Sequence, residues 1–208
     1  MSAATEYAQP AISAPPRWKV LVTRPFRVLR RLLSGKPLRS GPGPSETGKC
    51  RARLAPFCQG YGLDLGFGGD PITIHAIRMD MPNPYTSVGK YPVQLGGDAA
   101  KLNWFRDGVL DFVFSSHLLE DFADTKSILQ EWLRVLKPNG HLIIFCPDEQ
   151  RYREYCRKSG ATYNTHHVHE YFSLDYVRAM LSSLGQERVV HSNPHVDDYS
   201  WELVVEKT

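Results

Sequence analysis

From Tyr61 onward, short apolar runs alternate with stretches whose apolar residues recur every three or four positions. That is the pattern of strands and helices in a mostly parallel sheet. It predicts strands at Tyr61–Leu65, Ile74–Met79, Val93–Leu95, Leu110–Ser115, His141–Cys146, Arg188–Ser192 and Trp201–Val205. Ile128, Leu129, Trp132, Val135 and Leu136 share one helical face, so a helix is expected over Thr125–Leu136. Asp124 is its expected N-cap and Lys137-Pro138-Asn139-Gly140 its stop. A second helix is expected over Leu174–Leu184, opened by Ser173 and closed by Gly185. Only Asn193–Tyr199 joins the last two strands, which suits an antiparallel hairpin at the sheet edge. The expected fold is α/β: a doubly wound, seven-stranded, mostly parallel sheet with an antiparallel C-terminal hairpin, flanked by helices.

Ahead of this domain the periodicity dissolves. Met1–Pro16 is rich in Ala, Ser and Pro and is expected to be disordered. Val20–Leu33 reads as a basic, partly amphipathic segment, helical after Pro25, and Ser34–Gly48 as a Gly-, Pro- and Ser-rich linker or lid. The expected division is a disordered N-terminus at 1–16, a basic arm or lid at 17–48, and one domain at 49–208. The net charge of +3 hides an asymmetry: Arg17, Lys19, Arg24, Arg27, Arg30, Arg31, Lys36 and Arg39 lie in a stretch without acidic residues, so the rest is net acidic. Nucleic-acid enzymes carry positive charge around the site, which argues against nucleic acid as partner. The arm suits docking on its own body or on a sister subunit of a homodimer, with an anionic surface or RNA as the alternative.

Composition adds few constraints. At 42% hydrophobic and 23% charged the chain is not disordered throughout. No apolar run approaches the roughly 20 residues that span a bilayer, and Met1–Pro16 lacks the apolar core of a secretory signal. Cys50, Cys58, Cys146 and Cys156 fall at no metal-ligand spacing and form no disulfide framework. Free thiols, and hence the cytoplasm, are expected.

The first strand ends in Asp64-Leu65-Gly66-Phe67-Gly68-Gly69, where glycines let the backbone turn tightly and approach a ligand. As a dinucleotide fingerprint the segment fails. Pro71 stands where the last glycine of G-x-G-x-x-G belongs, and about five residues separate Gly69 from the next strand, too few for a helix N-terminus to hold a pyrophosphate. The segment Asp64-Leu65-Gly66-Phe67-Gly68 resembles the first motif of class I S-adenosylmethionine-dependent methyltransferases, and similar landmarks follow in order. Ile77-Arg78-Met79-Asp80 ends the second strand, Gly97-Asp98-Ala99 follows the third, Leu110–Glu120 resembles the fourth strand and its exit, and Glu131–Gly140 the approach to the fifth.

The resemblance implies S-adenosylmethionine as cofactor, bound through Asp64, Gly66, Gly68, Asp80, Asp98, Ala99 and Ser115. Asp80 would meet the ribose hydroxyls and Asp98 the adenine amine, hydrogen bonds suited to carboxylates. Two departures stand out. Asp70 replaces the third glycine, and the family's frequent Leu-Glu-His after strand four reads Leu119-Glu120-Asp121.

An alcohol acceptor benefits from a base, and His117, just past strand four, is the leading candidate, with cofactor contact or plain packing as the alternative. Beyond strand five, His166-His167-Val168-His169-Glu170 suits substrate contact, with metal ligation and a structural role as alternatives. His167 and His169 share a face if the segment is extended. Glu120, Asp148, Tyr152, His167 and His169 are the expected acceptor-side residues. Some related enzymes hold magnesium with carboxylates after strands four and five, which makes Glu120 and Asp148 a candidate pair. The expected activity is O-methylation of a small polar acceptor, a saccharide among the candidates. The alternatives are an RNA or protein methyltransferase using the basic arm, and a cofactor-binding partner subunit without turnover.

Overall fold

The computed structural model describes residues 44–84 and 89–208. The expectations for Met1–Pro16, for Val20–Leu33 and for most of the linker lie outside these residues. The described strands are β1 Gly62–Leu65, β2 Ile77–Asp80, β3 Leu95–Gly96, β4 Leu110–Ser116, β5 Leu136–Pro147, β6 Glu187–Val196 and β7 Ser200–Lys207. They form one sheet in the order β3-β2-β1-β4-β5-β7-β6. β1 to β5 pair in parallel, and β7 runs antiparallel to both β5 and β6. This is the expected Rossmann-like methyltransferase topology. The order reverses between β1 and β4, so a crevice opens at their carboxyl ends, where ligands bind in open α/β sheets.

Alternation along the strands divides the core into two faces. Leu63, Leu65, Val113, Leu142, Ile144, Leu203 and Val205 join Leu129, Trp132 and Leu133 of α2 (Thr125–Val135) and Val177 and Leu181 of α4 (Leu174–Ser182). Phe112, Phe114, Ile143, Phe145 and Val204 face Cys50 and Leu54 of α1 (Glu46–Leu54). The remaining helix, α3 (Glu149–Ser159), follows β5 directly. No helix intervenes between β1 and β2, as the short spacing after Gly69 predicts. Among the described residues no helix is long and apolar enough to cross a membrane.

Two expectations are corrected. Residues 44–48 are not all linker: the Ser45 hydroxyl accepts from Gly48 N at 2.9 Å and caps α1, which starts at Glu46. The Lys137–Gly140 stop is not a loop either. α2 ends at Val135, and Leu136 already pairs with Leu110 at the start of β5. The ladder shifts register before His141 meets Phe112, and Asn139 takes up the irregularity at φ 64°. A side chain at Gly140 would stand 2.9–3.2 Å from the carbonyls of Lys137, Asp111 and Leu110, so glycine permits this close crossing. The expected caps Asp124 and Ser173 do accept from Ser127 N and Tyr176 N.

Gly62 packs β1 against β4 so closely that a Cβ would fall 2.4 Å from the Phe112 ring and its carbonyl oxygen. Gly62→Ala is expected to lower stability by about 2–3 kcal/mol, the cost of overpacking a filled core. A shift in the urea midpoint at unchanged slope measures it.

Candidate active site

The glycine loop after β1 is shaped from beneath. Asp64 is fully buried and its Oδ2 accepts from Ile72 N at 2.6 Å, drawing the chain back where a helix would otherwise run. Burial pushes its pKa up to about 8, against the Ile72 hydrogen bond and the Arg51 charge. Asp64 therefore organises the loop from inside the core. Gly66 and Gly68 adopt φ 63° and 56°, the region glycine enters without steric cost. At Gly68 a Cβ would come no nearer than 3.9 Å to another atom, so the backbone lies open to an approaching ligand. Gly66 instead packs on Leu118, the residue after His117.

Asp80, at the end of β2, accepts from Gly68 N at 3.1 Å and from Met81 N at 2.8 Å. A carboxylate has about four acceptor sites, so lone pairs remain for hydroxyl donors. Partial burial raises its pKa despite these two bonds. Asp98 is exposed past β3, its Oδ1 accepting from Ala100 N at 2.9 Å, and Ala99 is turned into the core. The Ser115 and Ser116 hydroxyls are buried at the end of β4 without a hydrogen-bond partner among the described residues. An open glycine backbone, carboxylates at two successive strand ends and an orphaned hydroxyl fit a ligand with ribose, amino and carboxylate groups.

Asp70, in place of the third glycine, has a different task. It bonds Ser45 Oγ, lies 2.9 Å from Arg51 and 3.1 Å from Lys90, and joins the loop to α1. Burial would raise its pKa, but these donors hold it below the usual carboxylate range.

His117 follows β4 at φ 50°, a conformation uncommon outside glycine, fixed by its N–H to the Phe145 carbonyl at 2.8 Å. Its Nε2 lies 3.3 Å from Ser200 Oγ and 3.4 Å from Glu46 Oε2, and its Nδ1 3.8 Å from Glu120 Oε1. Burial pushes its pKa down to about 4, outweighing the pull of Glu46, so the ring is neutral at neutral pH. Burial likewise drives Glu120 up to about 8. Glu46 goes the other way: burial raises it, but His117 and the Lys49 ammonium, 2.7 Å away, bring it below its ordinary value.

The histidines beyond β5 are divided. His167 is buried, its Nδ1 2.8 Å from Glu149 and its Nε2 3.6 Å from Glu120. His169 instead donates from Nε2 to the Phe122 carbonyl at 2.8 Å and stacks near Phe172 and Tyr176, securing the entry to α2. Two residues apart, they reach different partners, so His169 is not brought to the acceptor side. Asp148 caps α3 by accepting from Arg151 N at 3.1 Å. Among the described residues no three His, Cys, Asp or Glu side chains are arranged to hold a metal, so magnesium on Glu120 and Asp148 finds no support. Tyr152 does join the group, its ring centroid 4.9 Å from those of His167 and Tyr199.

Sequence reasoning missed Glu46, Glu149, Tyr199 and Ser200. Ser45 followed by Glu46, a cap with an acid in the first turn, was the available signal for α1. Nothing in the periodicity shows that the β6–β7 turn brings Tyr199 within 6.0 Å of the His117 ring.

Fold and site together define a class I S-adenosylmethionine-dependent methyltransferase scaffold. Residues 47–144 match the family model described as a methyltransferase domain. Together with the fold, this match supports a class I S-adenosylmethionine-dependent methyltransferase. The fold is similar to a methyltransferase of this kind from Thermotoga maritima, at a TM-score of 0.60 and 19% identity over 92% of this chain and 100% of that one. It is similar to another from Archaeoglobus fulgidus, at 0.55 and 16% over 88% and 99%. A structure from echinomycin biosynthesis, on conversion of a disulfide bond into a thioacetal group, matches at 0.58 and 16% over 87% and 92%. At these identities the likeness concerns the fold alone. No curated protein matches the sequence.

With its pKa raised to about 8 against 3.8 for the free side chain, buried Asp64 favours the folded state in acid. That contribution falls away as pH rises from about 4 to about 8. Asp64→Asn is expected to flatten the loss of stability across this window, read from urea midpoints at stepped pH.

Proposed function

We propose that this protein transfers a methyl group from S-adenosylmethionine to a hydroxyl of a small polar acceptor, with a saccharide as the class the site suits best. The observation that carries the reading is His117, a neutral imidazole held at positive φ past β4, beside Glu46 and within the ring of Tyr152, Tyr199 and Ser200. Hydroxyl-rich ligands match such a wall, because carboxylate, ammonium, hydroxyl and aromatic edges alternate on it.

Bound cofactor supplies an electrophilic methyl on a sulfonium. Asp80 and Asp98 would hold its ribose and adenine ends, and the Gly66–Gly69 backbone its amino-acid end. His117 Nε2, on the side where Glu46 remains part-exposed, removes the acceptor's proton as the new bond forms. Alignment of the acceptor against the methyl group contributes the larger part of the acceleration.

Calorimetry should show binding of S-adenosylhomocysteine and none of NAD; the reverse preference overturns the cofactor assignment. Asp80→Ala should weaken that binding about tenfold or more, from loss of charge-assisted hydrogen bonds worth about 1.5–3 kcal/mol. In a screen of sugars, amines and phenols with labelled cofactor, His117→Ala should abolish turnover and leave cofactor affinity within a few fold. Because burial pushes the imidazole down to about 4, kcat/KM should be level through neutral pH and fall on the acid side as pH approaches that value. Turnover confined to amines, or undiminished in His117→Ala, overturns this reading.

A further inference from the structure

Three ionisable side chains are packed out of water behind His117, and their spacing is that of a chain. Glu149 is fully buried, and three donors converge on it: Arg153 Nε at 2.6 Å, the Tyr163 hydroxyl at 2.6 Å and His167 Nδ1 at 2.8 Å. Against that carboxylate His167 presents a proton on Nδ1, which leaves Nε2 as the nitrogen open to exchange. That nitrogen faces Glu120 Oε1 at 3.6 Å. The same oxygen lies 3.8 Å from His117 Nδ1 and makes no hydrogen bond among the described residues, while Cys146 donates to Oε2 at 3.3 Å. One unengaged carboxyl oxygen thus stands between two imidazoles, a few tenths of an ångström beyond hydrogen-bond distance from each. Catalytic hydrogen bonds are often this long before substrate is bound.

We propose that Glu120 and His167 form a proton relay that takes the acceptor's proton from His117 and holds it on His167 against Glu149. The proposal rests on His117 as the base. As Nε2 of His117 gains the acceptor's proton, its Nδ1 proton passes to Glu120 Oε1, and the Glu120 proton passes to Nε2 of His167. The electron pair of the breaking S–CH3 bond stays on sulfur, and the acceptor oxygen forms the new bond to carbon. His117 and Glu120 end neutral, His167 ends as an imidazolium, and Glu149 is its counter-ion.

Two observations favour this route over a proton left on His117. A ring whose pKa burial depresses to about 4 does not keep a proton at neutral pH, and Glu120, raised to about 8, begins in the protonated form the relay needs. The groups around the chain are Glu46 and Lys49 of α1, Asp121 beside Glu120, Cys146 of β5, Arg153 of α3, and Tyr152 and Tyr163. Of these, Arg153 is half-exposed, giving the far end of the chain contact with solvent. Glu120 and His167 are positioning and relay groups here, not substrate ligands.

Nitrogen-15 spectra of histidine-labelled full-length protein, without cofactor, test the relay directly. His167 should show a protonated Nδ1 and a bare, hydrogen-bonded Nε2; the opposite tautomer overturns the proposal. His117→Gln should shift the His167 titration midpoint in the wild-type background and leave it in place in Glu120→Gln; equal shifts in both overturn the relay. Glu120→Gln and His167→Asn should each lower kcat about tenfold or more at unchanged cofactor affinity and KM. If Glu120→Gln does not fold, the wild-type tautomer and the kcat of His167→Asn decide the matter. Full turnover in His117→Ala overturns base and relay together. Dependence on His117 without coupling to His167 overturns the relay alone.

Discussion

The Glu149 carboxylate, the first residue of α3, sits in the core with donors from Arg153, Tyr163 and His167 around it. An ion so placed has lost its hydration, and only close, well-directed partners make that state tolerable. Its three bonds therefore bind the loop 163–167 back onto the first turns of α3, at the exit of β5. His167 is oriented by that demand, Glu120 is enclosed by it, and His117 inherits a largely buried surrounding. The depressed imidazole and the raised Glu120 carboxyl are two expressions of one dry pocket.

On the cofactor side the same logic works with neutral backbone. A methyltransferase loop ordinarily leads into a helix, and here none follows β1. Buried Asp64 substitutes for it by taking the Ile72 N–H, and Asp70 takes the charges of Arg51 and Lys90 where a glycine is the family's habit. The loop keeps its open backbone at Gly68 because side chains on either side, not helical hydrogen bonds, hold it in place.

Much of the architecture was legible from residue patterns. The seven strands, the caps Asp124 and Ser173, the absent helix after Gly69 and the edge hairpin follow from alternation, cap chemistry and short spacing. Boundaries moved where tertiary contacts override local signals, as when Pro138-Asn139-Gly140 is drawn into β5 despite its turn composition. The candidate site was legible where a motif marks it, at Asp80, Gly66–Gly68 and His117. It was not legible where long-range packing assembles it. Asp148 and Glu149 are adjacent in sequence, yet the first caps a helix and the second anchors the buried network. His167 and His169 diverge because one meets a carboxylate and the other a carbonyl, which no spacing rule distinguishes.

The first turn of α1 touches both halves of this molecule's chemistry. Ser45 bonds Asp70 of the glycine loop, and one residue later Glu46 lies against His117 and Tyr199. A single helical turn is thus a shared wall between the glycine loop and the His117 pocket, where the proposed function seats donor and acceptor. Occupancy on one side and order on the other are parts of one mechanical unit, and any free energy linking them acts equally in both directions.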